Sequence, residues 1–321
     1  MSDVSLISNL VSIVIPFHKE SEYLADCLES VRNQSHSNFE CILVDNGADP
    51  NAIKVAKKFC NSDNRFQLID AVGLSFPLAV NRGMKFAKGS LIARMDSDDV
   101  MLKHRITLQV NEFISNPKLA ICGGSVERIG AIEGLIRYPL DDLEIKSALM
   151  FKCAFSHPAV MFNRDRFNQA TPNDLEYDPK YKVAEDYDLY LRSMQVGEYK
   201  NLPQVLIKYR VHCNQLTQLK SKSVEKYSNS ARIKFIRENG GSHLSARLHN
   251  LVLAGFPFGK ILLEYRKKHV VKVLSKSIVN AENRIQIEIE AGRLVDQYTT
   301  SINTRNLLRY LARQLTKKLL P

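Results

Sequence analysis

Two carboxylates one residue apart, Asp96 and Asp98 in the run Arg94-Met-Asp-Ser-Asp-Asp99, are the strongest chemical signal in the sequence. In extended backbone successive side chains alternate, so Asp96 and Asp98 are expected on one side and Ser97 and Asp99 on the other. Carboxylates held a few ångströms apart repel, and a hard divalent cation relieves the repulsion. Mg²⁺ or Mn²⁺ takes oxygen ligands, binds through one or two carboxylates and fills its shell with water and substrate phosphates. An isolated Asp-x-Asp also suits a solvated turn; a place at a strand end beside Asp45 favours a metal and diphosphate site. A second acidic run, Ala184-Glu-Asp-Tyr-Asp-Leu189, opens a helix. Acids there stabilise the positive end of the helix by roughly 0.3–1 kcal/mol each. A carboxylate at such a helix start, facing a crevice, also suits deprotonation of a hydroxyl, general-base work worth about 10²–10⁴ in rate.

The elements that must position these groups follow from periodicity. Val11-Ser-Ile-Val-Ile15 reads as a strand closed by Pro16, and Tyr23 to Val31 as a helix carrying Leu24, Cys27, Leu28 and Val31 inward. The pattern recurs with strands at 40–44, 66–69 and 91–95 and helices at 51–60 and 78–87. Alternation of this kind, with continuous apolar strands, predicts a mostly parallel sheet covered on both faces. Ligands then bind at the carboxyl ends of the strands. Pro16-Phe-His18, Asp45-Asn-Gly47 and Asp96-Ser-Asp-Asp99 follow three of those strands, so polar groups converge on that edge. Further on, 121–134 reads as irregular strand and turn, 141–150 as a helix, 157–162 as a strand, 184–194 as a helix and 205–212 as a last strand. Beyond about residue 220 the periodicity is helical only.

Five segments in order carry a family resemblance: Val11-Ser-Ile-Val-Ile-Pro16, Val44-Asp-Asn-Gly47, Gly73-Leu-Ser75 with Asn81-Arg-Gly83, Lys88 through Asp99, and Ala184 through Leu189. Together they resemble glycosyltransferase family 2, in particular the bacterial members that build lipopolysaccharide or other surface glycans. The resemblance implies an α/β glycosyltransferase A fold, an inverting displacement and a nucleotide-sugar donor, most readily UDP-linked. It places Asp45 and Asn46 at the nucleobase and ribose, with Pro16, His18, Glu20, Asn81, Arg82, Asp96 and Ser97 also on the donor side. It assigns Asp96, Asp98 and His212 to a divalent cation (Mn²⁺ or Mg²⁺) and Asp186 to the general base, with His157 and Glu185 toward an oligosaccharide or lipid-linked acceptor. Two departures stand out: Asn46 where the family often has an acid, and His18 where an aromatic is common. His212, in Tyr209-Arg-Val-His212, and His157 also read as ordinary polar residues at strand ends.

Composition sets the frame. The chain has 321 residues, 45% hydrophobic and 25% charged, ample for a core and without a long apolar run, so no membrane span or signal peptide is expected. A cytoplasmic protein with reduced cysteines is expected from six scattered cysteines. The net charge of +11 lies entirely in the last third, where residues 220–321 hold 20 Lys and Arg against 7 Asp and Glu. The expected organisation is a tail at 1–10, a catalytic domain at 11–219 and a basic helical region at 220–321. Arg305, Arg309, Arg313 and Lys317 form one helical stripe, and Leu307, Leu311, Leu315 and Leu319 another. This pattern suits a helix lying on an anionic membrane face or one packed by its leucines on the body. Two rival functions are separable. Met95-Asp-Ser-Asp-Asp-Val100 fits the nucleophile motif of haloacid-dehalogenase-like phosphatases, but there the motif sits on the first strand, whereas βα units precede it here. Nucleic-acid binding by the tail lacks a module and, with no Trp in the chain, stacking groups; no nucleic-acid partner is expected.

Overall fold

A computed structural model of the protein describes residues 10–18, 22–170, 175–212, 215, 221–239 and 293. The chain runs β1 (Val11–Phe17), α1 (Leu24–Arg32), β2 (Phe39–Asp45), α2 (Pro50–Ser62), β3 (Phe66–Asp70), α3 (Phe76–Phe86) and β4 (Leu91–Arg94). Then follow β5 (Val100–Met101), α4 (Arg105–Ser115), β6 (Leu119–Gly130), β7 (Gly134–Ile136), α5 (Asp142–Leu149), β8 (Met161–Asn163), α6 (Arg164–Ala170), α7 (Glu185–Arg192), β9 (Glu198–Val211) and α8 (Ser221–Glu238). One sheet takes them all in the order β3-β2-β1-β4-β8-β6-β9-β5, with β7 beside β6. The strands from β3 to β4 are mutually parallel, as are β6 and β9, while β5, β7 and β8 pair antiparallel. The expected mostly parallel α/β sheet is therefore present.

Burial on both sheet faces explains the unbroken apolar strands. Along β1, Ile13, Ile15 and Phe17 join the core under α1, α2 and α4, while Val14 joins the core under α3, α5, α6 and α7. Pro16 is tolerated in a central strand because β4 leaves β1 after Val14, the residue that pairs with Arg94; no ladder bond is missing where the proline lacks its N–H. The helices start where local chemistry allows. Asp49 caps α2 by accepting from the Asn51 and Ala52 amides, and Pro50 occupies the first turn. Gly83 lets α3 press onto the sheet: a Cβ there would stand 2.7 Å from both Val14 Cγ1 and Val44 Cγ2.

Several expectations are corrected. Residues 121–134 are largely one long strand, β6, since both of its neighbours supply a ladder. Residues 157–162 are not a strand throughout: His157–Ala159 form a 3₁₀ turn around Pro158, and only Met161–Asn163 pair as β8. The last strand begins at Glu198, earlier than expected. α4, α6 and β5 had no place in the sequence reading. α8, which opens the basic region expected from residue 220, packs on the body: Ala231, Phe235 and Ile236 are buried in the same core as Tyr187 and Leu189 of α7. Arg232 locks the contact, donating to Tyr187 Oη (3.1 Å) and to the Phe151 carbonyl (3.1 Å). The tail at 1–9 and the amphipathic stripes past residue 300 lie outside the described residues.

Candidate active site

The carboxyl ends of β1, β2 and β4 lie along one edge of the sheet, and the end of β9 comes to the same place from the far half. Asp96 to Asp99 form a turn there and are not extended, which overturns the expected alternation: one oxygen from each of Asp96, Asp98 and Asp99 lies within 4.8 Å of the others. Asp99 thus joins the pair that the spacing singled out. His212 Nε2 stands 2.8 Å from Asp98 Oδ2. Arg210 clamps the turn from β9, its amide donating to Asp99 Oδ1 (2.8 Å) and its Nε to the Asp98 carbonyl (2.9 Å). Its guanidinium lies 4.2 Å over the Tyr23 ring.

The electrostatics of this cluster call for positive charge. Burial, and next the charge of Asp96, pushes the Asp98 carboxyl up to about 6; burial and the same neighbours raise Asp99 well above its ordinary range. Asp99 is fully buried, and its Oδ2 has no hydrogen-bond partner among the described residues. An orphaned carboxylate oxygen beside two further carboxylates fits a hard cation. The cationic groups already present include, besides Arg210, Arg94, 3% exposed and bonded to Asp96 Oδ1, and Arg105. Sequence reasoning missed Arg105 because a lone arginine at a helix start carries no signal. It is fully buried and donates to the carbonyls of Arg94 (2.8 Å), Pro158 (2.8 Å) and Val160 (3.2 Å) and to Gln109 Oε1 (3.1 Å), and burial lowers its pKa to about 9. It stitches the end of β4 to the turn before β8.

On the side of β1 and β2, Asp45 Oδ1 accepts from the amides of Gly47 (3.0 Å) and Ala48 (2.9 Å), closing a turn in which Gly47 adopts φ 90°. Turned as its acceptor surroundings demand, with the amide nitrogen toward the carbonyls of Ala71 (3.1 Å) and Leu74 (3.0 Å), Asn46 ties that turn to the loop before α3. His18 is exposed, with Nδ1 2.7 Å from the Asn46 carbonyl. These three residues are brought together as expected. Pro16 is buried within β1 and shapes the floor, and Ser97 is 8% exposed inside the acidic turn. Arg82 is exposed on α3. Glu20 lies outside the described residues. Asn81 is corrected: both ends of its amide are spent on the Tyr177 backbone (2.9 and 2.8 Å), and it is 5% exposed, so it pins a loop and offers nothing to a donor.

The opposite wall is the start of α7. Its N-cap, Ala184, has φ 64° and ψ 26°, a left-handed backbone that costs a non-glycine residue roughly 1–2 kcal/mol. Glu185 and Asp186 follow directly. Burial, then the charge of Asp186, raises the Glu185 carboxyl to about 8, and burial raises Asp186 too, against the pull of Arg94. Arg94 therefore acts on Asp96 and on both of these acids. His157, expected at a strand end, sits half-buried in the 3₁₀ turn with Nδ1 2.7 Å from Tyr190 Oη and Nε2 3.2 Å from Tyr177 Oη. Such an edge can hold a cation and phosphates at one wall and take a proton at the other. No described helix is long and apolar enough to cross a membrane.

Comparisons with known proteins agree with this layout. The family model for Glycosyl transferase family 2 matches residues 12–170. The chain is 33% identical over 221 residues to the O-antigen biosynthesis glycosyltransferase WbnJ of Escherichia coli, covering 66% of this chain and 83% of that protein. It is 31% identical over 210 residues to the amylovoran biosynthesis glycosyltransferase AmsE of Erwinia amylovora, covering 64% of this chain and 76% of that protein. Among solved structures, S. aureus TarS in complex with UDP-GlcNAc superposes over 90% of this chain and 89% of its own with a TM-score of 0.58 at 12% identity, a likeness of fold.

Proposed function

The chain belongs to glycosyl transferase family 2 and is a glycosyltransferase, and on that premise we propose that it moves a hexose or N-acetylhexosamine from a UDP-linked donor to a hydroxyl of a surface-glycan or lipid-linked oligosaccharide acceptor, with inversion. The observation that carries the site assignment is the unpartnered Asp99 oxygen beside Asp96 and Asp98 at the strand-end edge. The acceptor class is supported by WbnJ and AmsE, named for O-antigen and amylovoran biosynthesis. The choice of UDP is supported by TarS, a protein of this fold crystallised with UDP and with UDP-GlcNAc.

In this reading the Asp45–Asn46 turn receives the nucleobase and ribose, with His18 at its rim. Asp96, Asp98 and His212 would hold Mn²⁺ or Mg²⁺, with Asp99 added to that set. Such a cation supplies Lewis-acid neutralisation of the charge that grows on the departing diphosphate. Asp186 takes the proton of the acceptor hydroxyl while that oxygen attacks the anomeric carbon from the face opposite the nucleotide, so one displacement inverts the centre. Glu185 keeps its proton at neutral pH, its carboxyl raised to about 8 by burial and by the charge of Asp186, and the proposed base, Asp186, works in its ionised form. Arg94 favours that ionised form while restraining Asp96.

The test is UDP release from a panel of UDP-sugars during a Mn²⁺ titration. Asp98→Asn is expected to weaken metal-dependent donor binding about 10- to 100-fold; donor affinity equal to the parent's at every Mn²⁺ concentration refutes the metal assignment. The basic region is read as holding the enzyme, a cytoplasmic protein, at the inner face of the membrane. Removal of the chain past residue 300 is then expected to release it from anionic liposomes in flotation, and retention favours packing of that segment on the body.

A further inference from the structure

The wall that carries Asp186 holds one more hydroxyl proton than its hydrogen bonds use. His157 stands between two tyrosines, with Nδ1 2.7 Å from Tyr190 Oη and Nε2 3.2 Å from Tyr177 Oη. Burial, with Arg94 nearby, holds the imidazole well below its ordinary range, so the ring is neutral. One of its nitrogens then carries a proton and the other accepts one. A neutral ring can take the hydroxyl proton of only one tyrosine. The second tyrosine receives a proton from the ring and must direct its own elsewhere. Neither hydroxyl has another hydrogen bond among the described residues, although Tyr177 is 1% exposed and Tyr190 is fully buried. A buried donor left without an acceptor is costly and calls for a partner.

The two distances favour one assignment of the spare proton, to Tyr177. At 2.7 Å the Tyr190 contact suits a hydroxyl donating to Nδ1, and at 3.2 Å the Tyr177 contact suits the longer N–H donation from Nε2. Tyr177 is held at its other end as well, its backbone N–H and carbonyl both engaged by Asn81 of α3. Its phenol, like that of Tyr190, lies in the field of Asp186, and it lies in that of Glu185 as well; a free hydroxyl proton turns toward such carboxylates. Tyr190 stands one helical turn after Asp186 on the same face of α7. The relay is therefore anchored on the helix that carries the base.

We propose that His157 is a positioning residue for the acceptor side: its Nε2–H tautomer, set by Tyr190, turns the Tyr177 hydroxyl proton toward the Glu185–Asp186 edge, where it keeps Asp186 aligned for the incoming hydroxyl. This rests on Asp186 being the general base. Long-range ¹⁵N NMR of the full chain tests the tautomer, with the His157 signals identified by their loss in His157→Gln. A neutral Nε2–H ring is expected; an Nδ1–H ring or an imidazolium at pH 7 overturns the proposal. Kinetics test the consequence, read as UDP release from UDP-glucose, UDP-galactose and UDP-GlcNAc with water as the probe acceptor. Tyr177→Phe is expected to lower kcat about 10- to 100-fold with the donor KM unchanged. His157→Leu is expected to match it, and His157→Gln, whose amide N–H can take the place of Nε2–H, to restore most of the loss. An unchanged kcat in folded Tyr177→Phe, or equal losses in the Leu and Gln variants, overturns the proposal. Asp186→Asn, measured alongside, separates the two ideas: normal turnover there removes the general base itself, whereas loss of turnover in Asp186→Asn beside an unaffected Tyr177→Phe removes only the proton placement.

Discussion

The two walls of the site are built in different ways. The wall formed by β1, β2 and β4 is made of contiguous turns at strand ends: Asp45 closes one of them on its own backbone through Gly47 and Ala48, and the acidic turn at Asp96 to Asp99 is a single short segment, clamped from β9 by Arg210 and His212. The wall formed by α7 and the 3₁₀ turn is assembled from residues far apart in the chain, with His157, Tyr177 and Tyr190 meeting through side chains and Asn81 reaching across from α3. Local construction leaves a signature that survives in sequence. Assembly across the fold leaves almost none, and it makes the second wall depend on packing for its geometry.

Changes aimed at one wall should leave the other intact if this contrast holds. The largest effect is expected from Asp186→Asn, which should cut transfer about 10²–10⁴-fold while nucleotide-sugar affinity, measured by calorimetry, stays at the parent value; a parallel loss of donor affinity would mean that the walls are not separable. Arg105→Met strikes the seam between them. Three carbonyls and Gln109 lose a buried donor, so a destabilisation of about 3–5 kcal/mol is expected from denaturant unfolding, with the side chain replaced by one of similar length. A loss under 1 kcal/mol would show that the seam is held by other contacts. The smallest effect is expected at Ala184. Glycine there removes the left-handed strain and should raise stability by up to about 1 kcal/mol, with kcat falling because the start of α7 loosens. If Ala184→Gly is both more stable and equally active, the strain has no role in aiming Glu185 and Asp186.

How much of this was legible follows the same division. Strand-to-acid junctions at Asp45 and Asp96 were readable because apolar β-branched runs end abruptly in polar residues, and the parallel topology then requires those ends to meet. The pairing of Asp96 with Asp98 was readable from spacing, but the recruitment of Asp99 was not, since the chain turns after Arg94 and an extended backbone had been assumed. Asn81 was misread for a related reason. Its place in a family segment pointed to the donor, whereas its partner is a backbone 96 residues away. Arg105 and Gln109 look like surface helix residues on paper; only the fold shows that both are fully buried. The 3₁₀ turn at His157–Ala159 escaped because Pro158 was weighed less than the apolar run that follows.

The grip of Arg232 on Tyr187 and Phe151 gives the positively charged third of the chain a mechanical meaning. α8 is bolted to α7, the helix proposed to carry the base, so the start of the basic third is fixed to the side of the site where an acceptor is proposed to enter. A tether joined in this way would do more than retain the enzyme near a surface: it would set the compass heading of the reaction, deciding from which direction an acceptor must arrive.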